Sequence, residues 1–80
     1  MTLDQLRPGE RGIVTALDLS PARAAALTRL GLGPGTEVLC RRQVPLGGPK
    51  VYRFRGTDAA LRSTEAAKIL LERRSVSADG

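Results

Sequence analysis

The stretch Leu30-Gly31-Leu32-Gly33-Pro34-Gly35-Thr36 decides the fold, because it ends a helix and turns the chain into a strand. Gly31 can adopt the left-handed conformation that closes a helix, and Leu32 can then contact Leu27 in a Schellman ending. Pro34-Gly35 has the residue types of a type II turn, since proline presets φ at one central position and glycine accepts a positive φ at the next. The stretch therefore predicts a helix that ends just before Gly31 and a strand that begins after Gly35.

One helical segment is predicted before this stretch and another after it. Ser20-Pro21 is an N-cap followed by proline at the first helical position, and the alanine-rich run 22–30 has high helix propensity. A single helical turn is predicted over 63–67, with Ser63 as its cap and Glu65 placed favourably near its N-terminus. The first segment is long enough for a helix of several turns, and the second is not.

Alternating apolar residues predict four short strands, which cover 12–17, 36–44, 50–55 and 68–73. In the third strand, Tyr52 and Phe54 point to the same side, so we expect both rings in the core. Val44 is expected on the apolar face of the second strand. Short strands separated by proline and glycine turns predict a mainly β fold. The pattern indicates a small SH3-like β-barrel with one α-helix between the first two strands and a helical turn before the last.

The composition excludes several classes of protein. The chain has 80 residues, a formal net charge of +5, a single cysteine and no histidine. A disulfide scaffold and histidine acid–base catalysis are therefore excluded, and the ligands of a zinc site are lacking. Cys40 lies on an apolar strand face, which is typical of a small buried hydrophobe. The acidic residues have no spacing of a metal cage or catalytic pair, so we expect no enzyme activity, no cofactor and no bound metal.

The apolar runs are short, which bears on location. The longest uninterrupted run is Ala24 to Leu27, so no membrane-spanning segment is expected. The first six residues include Asp4 and resemble no signal peptide, so the expected location is the cytoplasm. Residues 74–80 are small and polar and are expected to form a flexible tail. Edges of small barrels can pair, so the sequence leaves a homodimer open.

Four apolar or flexible residues are candidate partner contacts. Leu30 and Leu32 flank the glycine that ends the helix. The helix with this ending could serve as a recognition element, as a lid over the barrel, or as both. Leu46, followed by Gly47, stands on the Pro-Leu-Gly-Gly-Pro turn at 45–49. A leucine at such a turn is either an exposed contact point or folds back onto the barrel.

Three arginines, Arg41, Arg53 and Arg55, occupy alternate positions on neighbouring predicted strands. They could form a basic stripe that meets an acidic protein surface or nucleic acid, or they could be an ordinary solvated face. Nucleic-acid-binding barrels add aromatic platforms for base stacking, and this chain has only two rings. The absence of tryptophan also argues against a receptor for proline-rich peptides.

The order of these motifs resembles the FeoA family of small proteins of bacterial ferrous iron uptake. The resemblance is carried by Leu-Gly-Leu-x-Pro-Gly-Thr at 30–36, by Pro-Leu-Gly at 45–47 and by Ala-Leu-Arg at 60–62, and it covers about 2–72. It implies an SH3-like domain over 1–73. It also implies a partner, the membrane transporter FeoB, whose cytosolic part includes a GTP-binding domain.

We therefore expect a non-enzymatic cytoplasmic accessory of ferrous iron uptake that acts by contact with the cytosolic region of FeoB. The alternative is an SH3-like nucleic-acid-binding module that uses the arginine-rich strand face.

Overall fold

The computed structural model describes residues 1–74, in which a 3₁₀ turn, Leu3–Gln5, precedes seven longer elements. In chain order these are β1 Arg11–Leu17, α1 Pro21–Leu30, β2 Glu37–Gln43, β3 Lys50–Phe54, β4 Thr57–Leu61, α2 Ser63–Ala66 and β5 Ile69–Arg73.

The five strands form one antiparallel sheet in the order β4-β3-β2-β1-β5. The predicted mainly β fold is confirmed, with α1 between the first two strands and α2 before the last. Among the described residues no ladder joins β4 to β5, so the barrel is open between these strands. No helix within residues 1–74 has the length and apolar character needed to cross a bilayer.

The helix ending is the one that the sequence predicted. The Ser20 side chain accepts a hydrogen bond from the Arg23 amide at 3.3 Å, which caps the start of α1. At the other end Gly31 has φ +108°, and the Leu32 N–H donates to the Leu27 carbonyl at 2.9 Å. The Gly31 N–H donates to the Thr28 carbonyl, and this pair of hydrogen bonds defines a Schellman motif.

The turn after α1 ties the chain to β1. Gly35 has φ +89°, and the Thr36 N–H donates to the Gly33 carbonyl at 3.1 Å, which confirms the predicted turn. The Gly35 N–H then donates to the Val14 carbonyl at 2.7 Å, and the Val14 N–H donates to the Thr36 carbonyl at 2.9 Å. Strand β2 thus enters the sheet beside β1 as soon as the turn ends.

The core is aliphatic with two rings, and Tyr52 and Phe54 are both buried as predicted. Cys40 is also fully buried. The other apolar members are Leu3, Leu6, Val14, Leu27, Leu32, Val38, Leu61, Ala66, Ile69 and Leu71.

The N-terminal segment belongs to the fold. The Leu71 N–H donates to the Met1 carbonyl at 2.8 Å, so the first residues cover the edge of β5. The ammonium group of Lys50 donates to the carbonyls of Asp4 and Leu6 at 2.6 and 2.9 Å. The Tyr52 hydroxyl donates to the Leu3 carbonyl at 3.3 Å. Strand β3 therefore holds the 3₁₀ turn through two side chains.

One strand was not predicted. Strand β4 follows a two-residue turn, Arg55-Gly56, in which both φ angles are positive, at 50° and 76°. This is the type I′ geometry that joins tightly paired strands. Arg55, which the sequence placed at the end of the third strand, therefore lies in the turn. The β4 sequence contains two alanines and an aspartate, which have low strand propensity, so its alternation gave no signal.

Two smaller expectations were wrong. A bulge between Cys40 and Arg42 shifts the register of β2 against β3, and β2 ends at Gln43. Val44 therefore lies beyond the strand and is 40% exposed, not on the buried face. Helix α2 begins at Ser63 itself, and its N-cap is the preceding arginine, which makes no capping hydrogen bond through its side chain.

The predicted flexible tail begins at a residue that the structure does describe. The Arg74 N–H donates to the Arg11 carbonyl at 3.1 Å. Residues 75–80 of the predicted tail lie outside the described residues.

Substitution of the glycine that ends α1 should destabilise the protein in two ways. In Gly31→Ala the alanine would have to adopt the positive φ of the glycine, and its Cβ would lie 3.1 Å from Cδ of Arg55. Gly35→Ala is a matched control, since Gly35 also has a positive φ but has open space around it. We expect Gly35→Ala to lower the free energy of unfolding by about 1–2 kcal/mol, the cost of a left-handed alanine, and Gly31→Ala to lower it further. Equal losses in urea denaturation would show that the Arg55 contact adds nothing.

The ion pair between the two helices should make stability depend on pH. Arg23 donates two hydrogen bonds to Glu65, one of them at 2.9 Å, and this contact holds the pKa of Glu65 below its usual 4.5. A depressed pKa contributes stability above pH 4.5, and the contribution is lost as the pH falls through the folded-state value. We therefore expect the stability difference between wild type and Glu65→Gln to shrink on acidification.

Denaturation curves between pH 7 and pH 3 would measure this difference. Glu72→Gln serves as the control, because Glu72 is exposed and no arginine of the described chain pairs with it. A difference for Glu65→Gln that stays constant across this range would contradict the assignment.

Candidate partner-binding site

The turn between β2 and β3 presents an exposed leucine on a strained backbone. Leu46 is fully exposed, so it does not fold back onto the barrel. Its backbone lies in the left-handed region, with φ 66° and ψ 33°, a conformation that costs a leucine about 1–2 kcal/mol. Gly47, beside it, has φ 76°. Neither burial nor backbone preference explains a leucine at this position.

Two grooves adjoin this turn, with Gly47 and Gly48 lining both. The first has a volume of 250 Å³ and reaches the 3₁₀ turn at Asp4 and the β3 side chain Lys50. The second has a volume of 360 Å³ and extends to the start of α2 at Ser63. An apolar side chain and two concave surfaces thus lie next to each other at this end of the sheet.

The residues around the helix ending do not share one role. Leu30 is 59% exposed, whereas Leu32 is fully buried in the core. Leu32 therefore offers no side chain to a partner, and the expectation that it does is corrected. The stem of Arg55 packs over Gly31, so Leu30 and Arg55 lie at the same end of the molecule.

The candidate contacts therefore divide between two ends. Leu46 precedes β3, and Arg55 follows it directly. Four steps along a strand at roughly 3.3 Å each separate the ends of β3 by about 13 Å. The sequence grouped these residues together, and only the register of β3 shows that they face different regions.

The arginine stripe is partly neutralised. Arg53 lies directly opposite Asp58 on β4, with its Nε 3.6 Å from the carboxylate. The Nε of Arg41 lies 3.9 Å from the other oxygen of the same group. All three side chains are nearly half exposed, so these contacts are weak, but they reduce the positive charge of this face. The sequence did not predict the contacts of Asp58 with these arginines, because it did not predict β4.

Two arginines without a carboxylate partner complete this face. Within residues 1–74 no carboxylate lies within 4.0 Å of Arg11 or Arg55. Arg11 stands opposite Leu39 on β2, and Leu39 in turn stands opposite Arg53 on β3. Arg11 and Leu39 were not singled out from the sequence, since their proximity depends on the pairing of three strands.

The structure places no metal-binding cluster in the part of the chain that it describes. Cys40 is buried between β1 and β3 in the middle of the sheet, and burial raises the pKa of its thiol. A protonated, inaccessible thiol is neither a nucleophile nor a metal ligand.

Residues 1–73 match the family model of the FeoA domain. The chain belongs to the FeoA family. The resemblance drawn from the motifs at 30–36 and 45–47 is thereby confirmed. A comparison with curated proteins found no significant match.

Solved structures of FeoA proteins have the same fold. The FeoA protein of Chlorobium tepidum is 32% identical, with a TM-score of 0.88 over 94% of this chain and 71% of that chain. The FeoA protein of Stenotrophomonas maltophilia, solved in complex with zinc, is also 32% identical, with a TM-score of 0.76 over 90% of this chain and 89% of that one. It is described as a prokaryotic SH3 domain protein proposed to activate ferrous iron transport.

A manganese-dependent transcriptional repressor shares the fold alone. Its identity is 15%, with a TM-score of 0.79 over 91% of this chain and 40% of that one. The chain has an SH3-like fold and belongs to a family linked to ferrous iron transport.

The buried thiol gives a direct test of the core. We expect iodoacetamide at pH 8 to alkylate Cys40 at least about 100-fold more slowly in the folded protein than in guanidinium chloride, because reaction requires opening of the core. Mass spectrometry at timed intervals would follow the modification. Alkylation of the folded protein at the rate of a free cysteine would contradict this burial.

Proposed function

We propose that this protein is a non-enzymatic cytoplasmic accessory of bacterial ferrous iron uptake, which acts by contact with the cytosolic region of the transporter FeoB. Membership of the FeoA family supports the link to iron transport. The description of the Stenotrophomonas maltophilia relative as a candidate activating factor supports an accessory role.

The exposed Leu46 is the observation that carries the contact. A side chain of this size stabilises a complex by about 1.5–3 kcal/mol when it is fully buried. Pro45 and Pro49 on either side of the turn each restrict one φ angle, which limits the conformational freedom that the turn loses on binding. The adjoining grooves at Gly47 and Gly48 give a partner a concave surface beside the leucine.

The mechanism follows from binding alone. A partner shifts a conformational equilibrium only through different affinities for the two states. This protein would therefore favour the conformation of FeoB whose cytosolic surface best accommodates the Leu46 turn. None of its residues needs to touch the transported iron in this mechanism.

The alternative, a nucleic-acid-binding module, has weaker support. Both rings of the chain, Tyr52 and Phe54, are buried and offer no platform for a base. Asp58 also lies against two of the three arginines on which this alternative depends.

Replacement of Leu46 by aspartate should weaken FeoB binding by about 10- to 100-fold, which corresponds to the loss of a buried leucine contact. Aspartate tolerates the left-handed backbone, so folding should be unaffected. Isothermal titration calorimetry with the purified cytosolic region of FeoB would measure the affinity, and circular dichroism would monitor the fold.

Two further variants serve as controls. Leu46→Met keeps an apolar side chain and should bind nearly as the wild type does. Leu70→Asp makes the same change at another exposed leucine, on β5, and should leave the affinity unchanged. Wild-type affinity in a folded Leu46→Asp variant would refute the role of this turn.

A further inference from the structure

A shallow cleft of 210 Å³ lies along the outer face of the sheet and extends to the turn after β3, away from the Leu46 turn. Its walls carry arginines, and its floor is apolar. The lining residues are Arg11, Glu37, Leu39, Arg53, Phe54 and Arg55.

The cleft has an excess of positive charge with a defined distribution. Arg11 and Arg55 have no carboxylate within 4.0 Å in the described chain. Arg53 and Arg41, which lies on the neighbouring strand β2, share the carboxylate of Asp58. The carboxylate of Glu37 lies 3.6 Å from Nε of Arg74. The two guanidinium groups that remain available are therefore those of Arg11 and Arg55.

The floor between these charges is apolar. Leu39 is half-buried on β2 and stands directly between Arg11 and Arg53 in the strand register. The stem of Arg55 is held over Gly31, which keeps this guanidinium beside the cleft. An apolar side chain that contacted Leu39 would have Arg11 on one side and Arg53 on the other, with Arg55 also lining the cleft.

We propose that this cleft binds an acidic segment of a partner protein, in which an apolar side chain lies between carboxylates. Arginine pairs with carboxylates through two parallel hydrogen bonds, and Leu39 provides the surface for the apolar residue. This inference extends the proposed function, because it gives the chemistry of a second contact at the opposite end of β3 from Leu46.

The mixed charge of the cleft favours protein over nucleic acid. Glu37 lies in its wall, and Asp58 lies behind Arg53, so a continuous run of phosphates would meet repulsion along its path. The one ring that lines the cleft, Phe54, is buried and cannot stack on a base. A short segment with spaced carboxylates fits this distribution better than a polyanion does.

A titration of the whole ¹⁵N-labelled protein with a synthetic peptide would test the proposal. The peptide consists of glutamates around a single leucine, with blocked termini. We expect amide shifts clustered at Arg11, Leu39 and Arg55. Arg11→Gln and Arg55→Gln should each weaken binding about three- to fivefold, the effect of one exposed ion pair. Arg42→Gln is the matched control, since it removes the same charge from an exposed strand position outside the cleft.

Two further titrations test the apolar contact and the separation of the two sites. A peptide with serine in place of leucine should bind the wild-type protein more weakly. The Leu46→Asp variant of the protein should bind the original peptide as the wild type does. That last variant separates failure of this site from failure of the FeoB contact. Absence of shifts in the cleft, an equal loss in Arg42→Gln, or tighter binding of a single-stranded oligonucleotide that displaces the peptide would overturn the proposal.

Discussion

The fold depends on one local constraint, the left-handed glycine at the end of α1. Gly31 reverses the chain so that Leu32 enters the core. The Thr36 hydroxyl donates to the Gly31 carbonyl at 3.0 Å, and the backbone then pairs with β1 at Val14. Because a side chain at this position would meet both an unfavourable φ and the stem of Arg55, no other residue type closes the helix as readily. Helix position, core entry and strand pairing are thus set within seven residues.

The core takes up the cysteine and both aromatic rings of the chain. The exposed groups of the described chain include many arginines, several carboxylates and a few separate leucines. Such a surface can distinguish partners by shape and charge, but the part of the chain that the structure describes assembles no reactive group on it. The two ends of β3 present different surfaces, one apolar and one charged. A small domain with this arrangement can contact a larger protein at two places.

The sequence predicted the features that depend on neighbouring residues. The Ser20 cap, the glycine ending at Gly31 and the Pro34-Gly35 turn are local, and each formed as expected. Strand β4 was not predicted because its alanines carry no alternating pattern. The pairing of Asp58 with two arginines was therefore not predicted either. The cleft at Arg11 and Leu39 also escaped, since it is created by the register of three strands. Sequence patterns show which residues face outward, but not which of them are neighbours.

The packing of Arg55 on Gly31 has a structural consequence. It joins a hairpin tip to a helix terminus through a single side chain, without passing through the hydrophobic interior. The tip of the β3–β4 hairpin and the end of α1 are therefore neighbours on the surface of the molecule. A molecule bound at the hairpin tip would therefore also lie beside the C-terminal end of α1.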